Sequence, residues 1–258
     1  MRKSLNLFFI VFLVGCYFNS VGHREIVSAQ EAIDSQDFKR AEQKLVNALR
    51  SDLSTELEIK VLHQLGVVRA FHLNDLNGAL EVFQRTLKIS QTPISRKRSS
   101  IYLADLYFSM LRDFEKSTSL YKDLYNSEKD QKVRANYFQR YIKSLFESQR
   151  FEEVVSRLTS LKVTPESFKL MLLKALSHYF LSNYKVSFKI LKDLEKLQGL
   201  NREQISEVKF FKALILEDQE FLKLSYEEYV DNFQLFPNSN LIKLRVQKLI
   251  HRKRSSKR

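Results

Sequence analysis

Asp37-Phe38-Lys39-Arg40-Ala41 is a polar, large, polar, polar, small run, and the reading of the whole chain turns on its recurrence. It returns in looser form as Asp75-Leu76-Asn77-Gly78-Ala79, Asp113-Phe114-Glu115-Lys116-Ser117, Arg150-Phe151-Glu152-Glu153-Val154, Asn183-Tyr184-Lys185-Val186-Ser187 and Glu220-Phe221-Leu222-Lys223-Leu224. The large residue falls at 38, 76, 114, 151, 184 and 221, a spacing of 33 to 38 residues that suits one helix hairpin per unit. Helical periodicity on both sides of each run predicts first helices over about 24–35, 55–73, 94–111, 131–146, 165–181 and 202–216. Second helices are predicted over 38–50, 76–89, 114–125, 151–161, 184–197 and 221–233.

Composition agrees with an all-α chain. Five glycines and three prolines in 258 residues are too few for many tight turns or for glycine-rich phosphate loops. Thr92-Pro93 and Thr164-Pro165 each place a capping residue before a proline at the first helical position, where the missing N–H costs nothing. Gly199 can end a helix in the left-handed conformation, and Asn201 with Gln204 reads as a capping box. A last helix over about 240–252, opened by Phe236-Pro237-Asn238-Ser239, is expected to turn a polar face outward as the cap of the array.

The formal charge is +13, which raises nucleic acid as a partner. Its placement weakens that reading. Arg252, Lys253, Arg254, Lys257 and Arg258 supply five of the thirteen charges, and Arg2 with Lys3 supplies two more, which leaves about six for the body, ordinary for a solvated helical surface. The pentapeptide Arg-Lys-Arg-Ser-Ser occurs twice, with its cations at Arg96, Lys97 and Arg98 and at Arg252, Lys253 and Arg254. A solvated helix start and a frayed tail account for these clusters; contact with anionic lipid or lipopolysaccharide is the sharper alternative.

Arg2 and Lys3 precede about ten apolar residues, a run of about 15 Å as a helix and half a hydrocarbon core, so it reads as a signal-peptide core and not a span. It ends in Leu13-Val14-Gly15-Cys16, which resembles the lipobox of bacterial lipoproteins. The resemblance implies cleavage between Gly15 and Cys16, lipidation of Cys16 and acylation of the new amino group, with palmitate-class chains that anchor stably together where one alone is marginal. Tyr17, where an aspartate often retains such proteins in the inner membrane, makes the outer membrane facing the periplasm the expected location, with inner membrane or cell surface as alternatives. Cys16 is the sole cysteine, so no intrachain disulfide can form.

The hairpin pattern as a whole resembles tetratricopeptide-repeat (TPR) proteins, whose small residues on both helices allow close packing. Ala41 and Ala48, Gly66 and Ala79, Ala104 and Ser117, and Ala175 and Ser187 keep that pattern; the absence of Trp, and Val154 and Leu224 at the small position, depart from it. The resemblance implies an all-α, right-handed α-solenoid of about six hairpins plus a capping helix. The layout is then a signal peptide (1–15), lipidated Cys16 with a short tether (16–23), the array (24–234), the capping helix (235–252) and a basic tail (253–258). It also implies partner binding along a groove lined by the first helices, with Gln64, Val68, His72, Tyr102, Gln139, Lys143 and Lys209 among the lining residues and Tyr102, Gln139, Lys143 and Lys209 as the groove candidates. The carboxylate clamp of some members is not expected, because its asparagine positions hold Gln30, Val68, Leu106, Lys143, Leu176 and Ala213.

No catalytic or metal constellation stands out. The five histidines are scattered, and His63 and His72, nine apart on one helix, are expected on opposite faces. No cofactor, metal or enzymatic activity is expected. The combined reading is a lipid-anchored scaffold holding protein partners in an envelope assembly, similar in layout to BamD-like and pilus-biogenesis TPR lipoproteins. A cytoplasmic nucleic-acid-binding repeat, and a non-catalytic regulator of a peptidoglycan enzyme, are the alternatives.

Overall fold

A computed structural model of the chain describes residues 21–255, with side chains through Arg252. The expected signal peptide, Cys16 and residues 256–258 lie outside the described residues. Thirteen α-helices, and no strand, make up the described chain. They follow one another as α1 (Val21–Asp34), α2 (Phe38–Ala48), α3 (Thr55–Val67), α4 (Leu76–Ile89), α5 (Pro93–Leu106), α6 (Phe114–Ser127), α7 (Gln131–Glu147), α8 (Phe151–Arg157), α9 (Phe168–Phe180), α10 (Tyr184–Glu195), α11 (Arg202–Asp218), α12 (Leu222–Asn232) and α13 (Ser239–Ser255). Odd and even helices pair as hairpins, and α13 follows the sixth pair. The chain forms two compact units, one ending at Tyr141 and the other beginning at Ile142, within α7. Among the described residues no helix is long and apolar enough to cross a membrane.

Each hairpin reverses on a non-glycine residue in the left-handed conformation: Gln36, Asn74, Arg112, Gln149, Ser182 and Glu220, with φ between 52° and 63°. In four hairpins the two amides that follow the first helix return to its last carbonyls, as when Gln36 N–H donates to Ile33 and Asp37 N–H to Ala32. This satisfies groups that a helix end otherwise leaves bare. The next residue then caps the second helix. Asp37, Asp75 and Asp113 accept from the backbone N–H of Arg40, Gly78 and Lys116, whereas Arg150, Asn183 and Phe221 make no side-chain cap bond.

In the second and third hairpins the first helix ends in a π turn, Val68–His72 after α3 and Tyr107–Leu111 after α5. Leu73 N–H reaches back to Val68, and Asp75 N–H to Arg69, one residue further than the equivalent bond in the first hairpin. The wider turn absorbs an extra residue without shifting the reversal.

The left-handed residue also corrects the register of the sixth repeat. Glu220 holds that conformation, so Leu222 and not Phe221 opens α12, and the small position is Ser225, fully buried, while Leu224 is exposed. Ser225 Oγ donates to the Ala213 carbonyl at 2.9 Å, as Ser187 Oγ donates to Ala175 at 2.7 Å. A hydroxyl thus does in these repeats what Ala41 and Ala79 do by size alone.

Other boundaries move as well. α1 covers Val21–Asp34, three residues earlier than the expected start at 24, and Gly22 packs against Leu53. α9 begins at Phe168, not Pro165: Thr164 Oγ1 accepts from Ser167 N–H as anticipated, but Phe168 N–H bonds to the Pro165 carbonyl, which tightens the turn below α geometry. α8 stops at Arg157, with Thr159 N–H bonded to Ser156. α13 runs to Ser255; Lys243, Gln247, Lys248 and His251 are exposed on it, Leu244 is 63% exposed among them, and Ile242 and Leu249 face inward.

The first unit is built on one apolar cluster around Leu45, Leu62, Leu65 and Val68 and another around Phe83, Leu103, Leu106 and Tyr107. The second unit has one around Met171, Leu191, Leu194 and Val208 and another around Phe210, Tyr229, Ile242 and Leu249. Phe83 and Tyr121 are buried, whereas Phe38, Phe114, Phe151 and Tyr184 are half-buried. A truncation such as Phe151→Ala therefore costs less than full core burial would suggest. In the last hairpin two charges are buried on α11. Lys212 reaches Glu195 and Glu228 at 2.7 Å each. Glu217 accepts from Tyr229 and is ringed by Arg245, Lys248 and Arg252 on α13 at 3.5 to 3.8 Å.

Gly66 provides the sharpest test of this packing. A Cβ there would lie 2.4 Å from Phe83 Cε1, and Phe83 cannot withdraw because it is buried and stacked on Tyr102 with centroids 5.0 Å apart. Alanine gains about 1 kcal/mol in helix propensity, but overpacking of this kind costs about 1–3 kcal/mol and the backbone must also shift. Gly66→Ala is therefore expected to lower the melting temperature, and the Gly66→Ala/Phe83→Leu double variant to cost less than the two single changes summed. A thermal melt in which Gly66→Ala equals or exceeds the wild type contradicts this contact.

Candidate functional site

A half-open cleft of about 530 Å³ lies in the first unit between α1, α3 and α5. α3 forms its floor: Leu57, Lys60, Val61, Gln64, Val67 and Val68 recur every three or four residues, which is one face of a helix. Ile26, Gln30 and Ile33 from α1 make one wall, and Arg98 and Tyr102 from α5 the other. Gln64 Nε2 donates to Gln30 Oε1 at 3.3 Å, and Gln30 Nε2 to Asp34 at 2.8 Å, tying α3 to α1.

His63 and His72 both line this cleft, contrary to the opposite faces that uniform α-helical rotation gives. The π turn over Val68–His72 rotates the chain less per residue and swings His72 round, where its ring stacks on Phe38 at 3.8 Å. Among the described residues no group of His, Cys, Asp or Glu could hold a metal ion.

His63 is 5% exposed and its Nε2 lies 3.0 Å from Ser99 Oγ. The Ser99 hydroxyl donates to the Ser95 carbonyl at 3.0 Å, so its oxygen accepts and the hydrogen-bond network assigns His63 the Nε2–H tautomer. Nδ1 is then a bare lone pair, buried with no hydrogen-bond partner among the described residues. Burial, reinforced by the Arg98 guanidinium, pushes the imidazole down to about 4. His63 is therefore neutral at pH 7, and the positive charge at the cleft comes from Lys60 and Arg98. Lys60 pairs with Glu56 at 2.9 Å. Among the described residues Arg98 makes no ion pair.

Of the four groove candidates, Tyr102 lines the cleft, stacked on Phe83 and tilted against His63 at 5.4 Å. Gln139 is half-buried on α7 in the first unit. Lys143, exposed on the same helix, and Lys209, half-buried on α11, belong to the second unit. Three cations of the basic clusters, Arg96, Lys97 and Arg252, have internal partners. Arg96 Nε donates to the Ser90 carbonyl at 2.8 Å. Lys97 pairs with Glu128 and lies over the Tyr137 ring, and the bond to Glu128 raises its pKa. Arg252 reaches Glu217 and Glu220 at 3.8 and 3.4 Å. The side chains of Lys253 and Arg254 lie outside the described residues.

His63 is among the cleft residues that sequence reasoning did not place in the groove, as are Lys60 and Arg98. The only signal for His63 was the spacing of 36 residues to Ser99, close to the repeat length, which places the two side by side on neighbouring first helices.

No family model matches the chain, and no curated protein matches it. Solved structures similar to it include a tetratricopeptide repeat protein from Parabacteroides merdae, at 15% identity over 89% of this chain and 99% of that one, with a TM-score of 0.42. The TPR domain of P58(IPK) is 16% identical over 92% of this chain and 67% of that one, with a TM-score of 0.40. The TPR2AB domain of yeast Sti1, solved as a complex with pHSP90, is 11% identical over 91% of this chain and 86% of that one, also at 0.40. At such TM-scores the architecture rests on the helix hairpins themselves and not on these likenesses.

Because His63 takes up a proton more readily when unfolded, the folded state loses stability as pH falls from about 6.5 towards 4 and is unaffected by this group above that range. The loss due to His63 alone should reach roughly 2–3 kcal/mol. His63→Gln keeps a donor for Ser99 and removes the titration, so its unfolding free energy should fall less steeply over that interval. Parallel profiles for wild type and variant in denaturant titrations would refute the buried neutral imidazole.

Proposed function

We propose that the chain is a scaffold of TPR-like hairpins, anchored by a lipidated Cys16 in the bacterial outer membrane and facing the periplasm, that holds a protein partner in an envelope assembly without catalysis. The observation that carries this reading is the cleft between α1, α3 and α5. Its floor from Leu57 to Val68 is about 16 Å long at about 1.5 Å per residue, enough for about five residues of extended chain at about 3.3 Å each. A trough of that length, lined by Ile26, Val67 and Val68 and carrying Gln30, Gln64 and Arg98 at its edges, suits a segment of polypeptide better than a compact small molecule.

The anchor reading is supported by Arg2 and Lys3, the apolar run and Leu13-Val14-Gly15-Cys16. Against the nucleic-acid alternative, Lys97 and Arg252 of the two basic clusters are paired with carboxylates and Arg96 donates to a carbonyl, so these three side chains are engaged within the chain and not presented together to a phosphate backbone.

Two measurements on the full chain in its own cells test the proposal. A photo-crosslinking residue at Gln64, in the cleft, should form protein adducts that are absent when the same residue replaces the solvent-facing Lys185 of α10. Labelled fatty acid should be incorporated by the wild type and lost in Cys16→Ser, with the protein leaving the membrane fraction. An absence of adducts from Gln64 removes the scaffold reading of the cleft, and a label that survives Cys16→Ser removes the anchor.

A further inference from the structure

A second hollow of about 440 Å³ adjoins the cleft between the starts of α3 and α5, and Lys60, His63 and Arg98 line both. In the second hollow lie Ile59 and Ile94, the latter 76% exposed. In the first lie Ile33, Val67 and Val68. Aliphatic side chains thus line both hollows, and the cations Lys60 and Arg98 are shared between them.

The charge in the middle is not balanced from within. No carboxylate lines the first cleft. The one carboxylate of the second hollow, Glu56, is held by Lys60 at 2.9 Å. His63 contributes no charge, its Nε2 being committed to Ser99. Arg96 and Lys97, next to Arg98 in sequence, point to Ser90 and Glu128. Arg98 therefore stands exposed between two apolar hollows with no ion pair among the described residues. A cation placed so, beside low-dielectric walls, favours a carboxylate over any other side chain of a partner, and the fork of a guanidinium can hold it through two hydrogen bonds.

Spacing sets the rest. Ile59 and Val67 flank His63 by four residues on either side, about 6 Å each way along the α3 axis. Side chains two residues apart on an extended strand share a face at about 6.6 Å. We infer that the two hollows together bind an extended internal protein segment of the form aliphatic-x-acidic-x-aliphatic, its central carboxylate on Arg98 and its aliphatic side chains in the hollows on either side. This inference rests on the reading of the cleft as a partner-binding surface and adds the sequence that the partner presents.

The test uses the full chain and fluorescein-labelled peptides blocked at both ends, so that no terminal carboxylate or amine takes part. Ser-Leu-Ser-Glu-Ser-Leu-Ser is compared with versions carrying Lys for Glu, or Ser for both Leu, by fluorescence anisotropy up to about 1 mM protein, which detects binding as weak as about 4 kcal/mol. The Glu peptide should bind at least ~10-fold more tightly than the Lys peptide, a difference of about 1.4 kcal/mol, and losing both Leu should weaken it by a similar factor. Arg98→Glu, at an exposed position where the fold should be unchanged by circular dichroism, should reverse the preference between Glu and Lys. Binding of no peptide, equal binding of all three, or an acidic preference that survives Arg98→Glu overturns the inference. If cross-linking from Gln64 still captures protein in any of those cases, the partner-binding reading stands and only the stated chemistry fails; if it captures none, both fail.

Discussion

A single left-handed residue between two right-handed helices is the constraint from which the rest of this structure follows. Side chains at positive φ cost about 1 kcal/mol or more against their ordinary conformation, yet Gln36, Asn74, Arg112, Gln149, Ser182 and Glu220 all adopt it. They do so because the reversal returns two amides to the last carbonyls of the first helix and delivers the next residue to the N-terminus of the second. Chain direction, helix pairing and register are all set in three residues.

The reversal brings the two helices of a hairpin close together, and the small residue three positions into the second helix makes that approach tolerable. Where the residue is Ala41 or Ala79, burial alone suffices. Where it is Ser187 or Ser225, the hydroxyl lies against the backbone of the partner helix and donates to the carbonyl of Ala175 or Ala213, which meets the rule that a buried polar group be satisfied. The last hairpin adds charge to this scheme. Lys212 loses hydration by burial, but its bonds to Glu195 and Glu228 outweigh the loss and hold its pKa above the usual lysine value. Glu217, 2% exposed, draws three cations from α13, so much of the positive charge of the final helix is internal to the fold.

The cleft is a product of the same packing. Tyr102 can stand at its wall because it stacks on Phe83, and Phe83 can lie there because Gly66 leaves room for its ring. His63 joins α3 to α5 through Ser99, one repeat apart. The residues that line the cleft are therefore held by a second layer of contacts beneath them, and a surface built on helices is more exact than one on loops.

The period of the repeat, the all-α class, the helices from Leu76 and Phe114 and the caps at Thr92 and Asn201 were legible in the sequence, because each is fixed by residues within a turn or two of one another. The start of the sixth second helix was not. Phe221 and Leu222 are both large, and only the conformation of Glu220 decides which of them leads. Tertiary structure likewise decided that His63 and His72 share a cleft, since the π turn over Val68–His72 changes the rotation per residue between them. It also decided which cations are engaged: Arg96, Lys97 and Arg98 are alike in sequence, but Arg96 turns back to the Ser90 carbonyl, Lys97 meets Glu128 from 31 residues on, and Arg98 has no ion pair among the described residues. Local chemistry therefore determined what the elements are, and packing over a distance of about one repeat determined which side chains line the cleft.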